Sequence, residues 1–348
     1  MTERIYLDWN AGAPLRPEAR AAMATAMDQL GNPSSVHLEG RAVRATVERA
    51  RGRVAEALGA GGGEIVFTSG ATEAATLALA ERNLKGAAVE HEAVAAWVGL
   101  ELDADGAGRV AVPEPDRSTL QLANSETGVI QELPRGLAVS DATQAWGKLP
   151  VAFDRTGAEM ALVSAHKLGG PKGVGALIMR RGCRLDPRIP GGGQEMGRRS
   201  GTENVIGIAG FAAAVEAAVR DLDAGVWEEV AKLRNILENG IAAGSHRTIF
   251  VGRDAPRLPN TSCFASPGWK GETQVMAMDL AGFAISSGSA CSSGKVRESR
   301  VLRAMGYDGE TARSAVRVSL GPSTTEENIG RFIDAWTMAR NRVAGRAA

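Results

Sequence analysis

The sequence predicts an α/β protein: a mostly parallel sheet flanked by helices, joined to a smaller α+β unit. Three observations carry that expectation. Short apolar runs at residues 64–67, 87–89, 120–123, 137–139, 161–163 and 175–179 alternate with helical stretches and end in polar or Gly-rich turns, as strands buried on both faces do. Two amphipathic helices follow, one presenting Phe211, Val215, Val219 and Leu222, the next Val226, Val230, Leu233 and Leu237. A chain of 348 residues has room for one large domain and a second, smaller one. The expected division gives residues 12–245 to the large domain and residues 1–11 with 246–348 to the small one.

Ile5-Tyr6-Leu7 reads as a short strand ahead of turn-forming Asp8 and Asn10. Pro17 opens a helix expected over 17–30, with Gly31-Asn32-Pro33 as its stop. A second helix is expected over 41–58, ended by the flexible stretch 59–63. The interval between the runs 120–123 and 137–139 leaves little room for a parallel crossover, and Pro134 and Gly136 oppose a helix in it. One sheet face is therefore expected to be thinly covered there.

Composition narrows the function classes. Hydrophobic residues make up 44% and charged residues 23%, ordinary for a globular chain, and the formal net charge of zero leaves no basic footprint for nucleic acid or an anionic membrane. No apolar run is long enough to span a bilayer, and the start lacks a basic segment followed by an apolar core, so no secretory signal is expected. Three widely spaced cysteines, Cys183, Cys263 and Cys291, form no CxxC and suggest neither a disulfide framework nor a zinc site. A cytoplasmic location with reduced thiols is the expectation.

Three local patterns carry chemistry. Ser164-Ala165-His166-Lys167-Leu168-Gly169-Gly170-Pro171 follows an apolar run and leaves through a Gly-rich turn, so Lys167 sits at the mouth of a sheet, where ligands bind in open α/β folds. A lysine at a strand end is, taken alone, usually a solvated surface residue. Thr68-Ser69-Gly70-Ala71-Thr72-Glu73 follows a strand and opens a helix; its backbone N–H groups suit a phosphate, and equally a simple helix cap. Asp141-Ala142-Thr143-Gln144 follows another strand, where a carboxylate suits a protonated ring nitrogen or a plain turn.

With these motifs in order, the chain resembles the cysteine desulfurases of the NifS/IscS type, in the class V aminotransferase group of fold-type I pyridoxal phosphate (PLP) enzymes. The resemblance runs from Tyr6-Leu7-Asp8 through Gly31-Asn32-Pro33-Ser34-Ser35, Glu90-His91, Asn124-Ser125-Glu126-Thr127-Gly128, Asp141 to Gln144 and Ser164 to Lys167. It continues through Arg199-Ser200-Gly201-Thr202, Ser286-Ser287-Gly288-Ser289-Ala290-Cys291 and Arg317-Val318-Ser319-Leu320-Gly321, covering nearly the whole chain. It implies a large domain with a sheet of the seven-stranded type and a smaller domain carrying the catalytic cysteine loop.

The resemblance also implies roles. Lys167 would carry PLP as a Schiff base and move protons at the substrate α-carbon; His91 would stack on the ring and act as acid and base. Asp141 would pair with the ring nitrogen, Gln144 would bond the phenolic oxygen, and Ser125 would stand near the ring. Ala71, Thr72, Ser164 and His166 would bind the phosphate, joined by Thr202 from the other subunit of a homodimer. Arg317, with Asn32, would take the substrate carboxylate. Cys291, in a run of Ser, Gly and Ala, would take the sulfur of L-cysteine as a persulfide, leave L-alanine, and pass the sulfur to an acceptor such as an iron–sulfur scaffold protein. Cys183 and Cys263 read as packing residues.

The chain departs from the family in Ala11-Gly12-Ala13, in Ser125 where the family has Asn, in Ala165 where it has Gly, and in shorter segments at 85–87, 103–120 and 131–139. A selenocysteine lyase or another PLP β-lyase, or a trimmed PLP-binding paralogue with a regulatory role, stand as the alternatives.

Overall fold

A computed structural model describes residues 4–288 and 298–347. The chain begins with β1 (Ile5–Tyr6), α1 (Pro17–Met27), α2 (Leu38–Ala57), β2 (Gly63–Thr68), α3 (Ala71–Leu79), β3 (Lys85–Ala87), α4 (Glu92–Ala95) and β4 (Gly99–Leu102). It continues through β5 (Val139–Asp141), α5 (Phe153–Thr156), β6 (Met160–Ser164), β7 (Gly175–Arg180), α6 (Val205–Asp223) and α7 (Val226–Gly244). The remainder holds β8 (Ile249–Phe250), β9 (Thr261–Ala265), α8 (Gly271–Leu280), β10 (Phe283–Ala284), β11 (Ser286–Ser287), α9 (Arg300–Ala304), α10 (Gly309–Arg313), β12 (Ala315–Ser319) and α11 (Glu326–Ala347).

The main sheet has the order β2-β7-β6-β5, with β7 antiparallel to both neighbours and β5 parallel to β6. Single parallel bridges, Thr119 to Val139 and Lys85 to Ser118, carry the sheet on to the parallel pair β3-β4. All of these strands except β7 therefore run the same way. Apolar residues alternate between two cores: Ile65, Phe67, Ala161, Val163, Ala176 and Ile178 face the cluster that α2 and α6 share. Val66, Met160, Leu162, Leu177 and Met179 face the cluster of α3. Both faces are covered, which is why these strands read as continuous apolar runs.

The run 120–123 forms no strand; isolated bridges occur at Ala123 within it and at Thr119 just before it. The side-chain oxygen of Asn124 accepts the N–H groups of Glu126 (2.9 Å) and Thr127 (2.8 Å), and this tight turn bends the backbone out of the ladder. Residues 131–137 contain no helix, and a small cluster of Leu120, Leu137 and Ala158 is covered there by Val110, Val112 and Leu133. α2 starts three residues before its expected position because His37 Nδ1 accepts the Gly40 N–H, an unusual cap that sequence rules do not favour.

A second sheet, β11-β12-β9-β8, is antiparallel. β1 pairs in parallel with β10, and Asp8 bridges Ser319, so the N-terminal segment is built into the C-terminal part of the chain. Trp227, Val230, Leu237 and Ile241 of α7 share a core with Ile5, Phe264, Phe332 and Trp336. No helix among the described residues is long and apolar enough to cross a membrane.

Gly175, the first residue of β7, lies against the turn before α3: a Cβ there would meet Gly70 Cα at 2.8 Å. Overpacking of this kind costs about 1–3 kcal/mol. Gly175→Ala is expected to lower the melting temperature by several degrees in a thermal unfolding scan, a steric loss; Gly173→Ala, with open space around its Cβ position and φ +77°, measures instead the cost of a positive-φ alanine without a clash.

Candidate active site

A cavity of about 800 Å³ opens at the C-terminal ends of β2, β5 and β6, between the main sheet and the antiparallel sheet. Its walls include Ala71, Thr72, His91, Ser125, Asp141, Gln144, Ser164, His166, Lys167 and Arg317, which are far apart in sequence. Asp141 ends β5, Ser164 ends β6, and His166 and Lys167 lie in the single 3₁₀ turn that follows β6. Arg317 comes from the middle of β12, across the cavity.

Lys167 Nζ donates to the main-chain carbonyls of Asn10 (2.6 Å) and Ala11 (3.1 Å). Gln144 Nε2 donates to the same Asn10 carbonyl at 2.9 Å. The N-terminal segment thus supplies the acceptors that aim two cavity side chains.

At the N-terminus of α3, Glu73 Oε2 accepts the Ser69 N–H at 2.7 Å, and Arg199 Nε donates to the other Glu73 oxygen at 2.9 Å. Thr68 Oγ1 accepts the Gly70 N–H. The N–H groups of Ala71 and Thr72 have no acceptor among the described residues. They face a cavity that also gathers Lys167, Lys172 and Arg317. A helix start with open N–H groups beside several cations suits a dianionic phosphate. Burial, and then the charges of Lys167 and Lys172, push the His166 imidazole down to about 4, so it is neutral at pH 7.

Arg317 donates to Asp8 Oδ1 (2.7 Å) and to the Ser125 carbonyl (3.0 Å), and its buried Nε has no partner among the described residues. Gln121 Nε2 and Thr143 Oγ1, both on the cavity wall, are likewise buried without a partner among the described residues. Orphaned polar atoms converging on one cavity are what a polar ligand satisfies. The donor set fits PLP: a lysine amine, a carboxylate at the end of β5, an imidazole, and phosphate-sized N–H donors at a helix start.

Two expected residues stand apart. Asn32 is exposed and outside the cavity wall, its Oδ1 engaged by the Ser34 N–H at 2.9 Å in a local turn, so the single chain does not join it to Arg317. Thr202 is also exposed and does not line this chain's own cavity. Cys291 lies outside the described residues. Cys263 is fully buried, and Cys183 contacts Glu159, so neither opens on the cavity. Sequence reasoning passed over Asp8, Asn10 and Lys172; Lys172, directly after the Pro171 that closes the Lys167 motif, was the one with a readable signal.

The aminotransferase class-V family model matches residues 5–107 and 113–332. The chain belongs to this family. It is 40% identical to a cysteine desulfurase of Cereibacter sphaeroides over 95% of this chain and 94% of that one. It is 34% identical to the cysteine desulfurase IscS of Dictyoglomus turgidum over 96% and 94%. Among solved structures, a NifS-like protein from Rickettsia africae superposes with a TM-score of 0.89 at 29% identity, covering 97% of this chain and all (100%) of that one. A second NifS-like protein gives 0.86 at 31% identity, covering 97% and 100%. The family member described here is therefore of the NifS/IscS type with the fold-type I architecture.

Two carboxyls behind the cavity are protonated near neutral pH. Burial first, and then the negative charge of Asp141, raises Glu90 from 4.5 to about 8. Burial also raises Glu126 from 4.5 to about 7, against the opposing pull of Ser299, Arg317 and Arg300. The folded state then holds protons that the unfolded chain releases, so this stability is full below pH 4.5 and is lost as pH rises through about 7 to 8. Denaturant titrations from pH 4.5 to 8 are expected to show stability falling with pH in the wild type and a shallower fall in Glu90→Gln. Equal slopes would contradict the assignment.

Proposed function

We propose that this chain is a PLP-dependent L-cysteine desulfurase that moves sulfur from L-cysteine to Cys291, releasing L-alanine, and hands it to an acceptor such as an iron–sulfur scaffold protein. The observation that carries the reading is one cavity that joins Lys167, His91 and Asp141 to the open N–H groups of α3 and faces them with Arg317. The names of the relatives support it, and so does the likeness to SspA in complex with cysteine, with a TM-score of 0.75 at 27% identity over 92% of this chain and 100% of that one.

Bound in this cavity, PLP supplies an electron sink for the substrate α-carbon. Lys167 Nζ would anchor the cofactor and would carry a proton at that carbon. The Asp141 carboxylate would hold a proton on the ring nitrogen, the Gln144 amide would bond the phenolic oxygen, and Ser125 would stand close to the ring. Ala71, Thr72, Ser164 and His166 would hold the phosphate; a neutral His166 would do so by hydrogen bonding rather than by charge. Arg317 grips the substrate carboxylate with its planar fork, exchanging its present Asp8 partner for the ligand. Asn32 would assist it only after moving towards the cavity. His91 holds or gives a proton at the substrate sulfur. The Cys291 thiolate then forms an S–S bond as the substrate C–S bond breaks, so that cysteine plus enzyme thiol becomes alanine plus enzyme persulfide.

The same reading includes a cytoplasmic homodimer. Thr202, exposed and outside its own cavity, would reach the phosphate of the partner subunit. Residues 12–245 would form the large unit and residues 1–11 with 246–348 the small one, with α7 as a packing layer between them.

Purified protein incubated with L-cysteine is expected to yield alanine and, with a reductant present, sulfide; with the reductant left out, the Cys291 peptide is expected to gain the mass of one sulfur. Cys291→Ala is expected to keep its cofactor and lose both sulfide and the persulfide; sulfide release equal to wild type would overturn the role of Cys291. His91→Ala is expected to lower kcat by roughly 10²–10⁴-fold. Arg317→Lys, which loses the planar fork, is expected to raise the KM for cysteine by about tenfold or more.

A further inference from the structure

Lys148 lies behind the cavity wall, is 4% exposed, and matches no motif of the sequence. Its Nζ donates to Gln144 Oε1 at 2.7 Å and to Asn10 Oδ1 at 2.9 Å. Asn10 Oδ1 is also bonded by Asn260 Nδ2 at 3.1 Å, which keeps that acceptor in place. Gln144 Nε2 in turn donates to the Asn10 main-chain carbonyl at 2.9 Å.

Both ends of the Gln144 amide are therefore assigned. Turning the amide over would set its N–H groups against the Lys148 N–H groups and its oxygen against the Asn10 carbonyl, replacing two hydrogen bonds with two repulsive contacts. In the orientation held by Lys148, the oxygen points to the amine and the second Nε2 N–H has no acceptor among the described residues. Gln144 lines the cavity, so what it offers there is a donor. Burial, and then the charges of Lys167 and Arg317, push the Lys148 amine well below its ordinary range. A neutral amine keeps two N–H groups, one for each acceptor, but its lone pair also accepts, so in that form the bond to the Asn10 carbonyl is what opposes turning the amide over.

We propose that Lys148 is a positioning residue: it locks the Gln144 amide so that an N–H, not an oxygen, meets an anionic ring oxygen of the cofactor. This rests on the PLP reading above and goes beyond it by naming what sets the orientation of a ligand-contacting group. A donor to that oxygen stabilises the form in which it carries the fuller negative charge, which is the deprotonated form of the lysine-bound cofactor. Losing the donor therefore raises the pH at which the visible band titrates.

The test is a spectrophotometric pH titration of the cofactor-loaded protein, with cofactor content and melting temperature measured alongside. Lys148→Met is expected to raise the midpoint by roughly one pH unit, the size of one hydrogen bond to a charged oxygen. Gln144→Leu is expected to move it equally, and the double variant to match Gln144→Leu. An unmoved midpoint in Lys148→Met, or a double variant that differs from Gln144→Leu, overturns the proposal, the latter because Lys148 would then act without Gln144. Should Lys148→Met alone fail to fold, the comparison of Gln144→Leu with the double variant can still overturn the proposal, since the double variant leaves no half of the Lys148–Gln144 pair unsatisfied. Wild-type protein with no visible cofactor band would overturn the cofactor reading itself, whereas a normal band with an unmoved midpoint overturns Lys148 alone.

Discussion

The carbonyl oxygen of Asn10 accepts hydrogen bonds from both Lys167 Nζ and Gln144 Nε2, and the geometry of the cavity depends on where that one backbone atom is held. It is held from two sides. Asn10 N–H donates to Ser319 Oγ at 3.0 Å and Asn10 Nδ2 to Thr261 Oγ1 at 2.9 Å, both on the antiparallel sheet. Lys148 Nζ binds its side-chain oxygen from the main-sheet side. A segment near the chain's start thus ties the two sheets together at the place where their side chains meet. Because Asn10 is 1% exposed, water cannot readily substitute for these partners, and each lost bond would leave a buried group unsatisfied.

The charges follow the same plan. Lys167, Lys172 and Arg317 face the cavity, where they favour anionic ligands. Three acids beside or behind the cavity are treated in different ways. Asp8 is paired with Arg317 and so keeps that guanidinium pre-aimed. Glu90 and Glu126, fully enclosed, hold protons up to about pH 8 and pH 7 and so add no full negative charge behind the cavity at lower pH. Glu126 also lies directly under Gly288, where an added Cβ would run into its carboxylate oxygen. The backbone leading towards Cys291 is thereby packed on a buried acid.

Much of this was legible in the chain. Apolar runs in β2, β6 and β7 announced a sheet covered on both faces, and their alternation between two cores explains why every position in β6 is buried. The Lys167 turn, the start of α3 and Asp141 could be recognised because each is a local motif at a strand end. Other features were hidden for physical reasons. The run 120–123 looks like a strand, but Asn124 captures two N–H groups and turns it away. His37 is a poor cap by propensity, yet the tertiary setting uses it. Asn32 sits in a recognisable motif, but its own turn keeps it from the cavity of its chain.

The sequence by itself determined the family, the α/β class and most of the residues that surround the cavity, because motif spacing and apolar period are local properties of the chain. Only the tertiary structure decided that Asn10, Lys148 and Asp8 aim those residues. Their partners lie 138 positions away for Asn10 and Lys148, and 309 away for Asp8 and Arg317. The Asp8–Arg317 bond exists only after β1, β10 and β12 have brought the two ends of the chain together, and the Asn10–Lys148 bond only once the N-terminal segment lies against the main sheet.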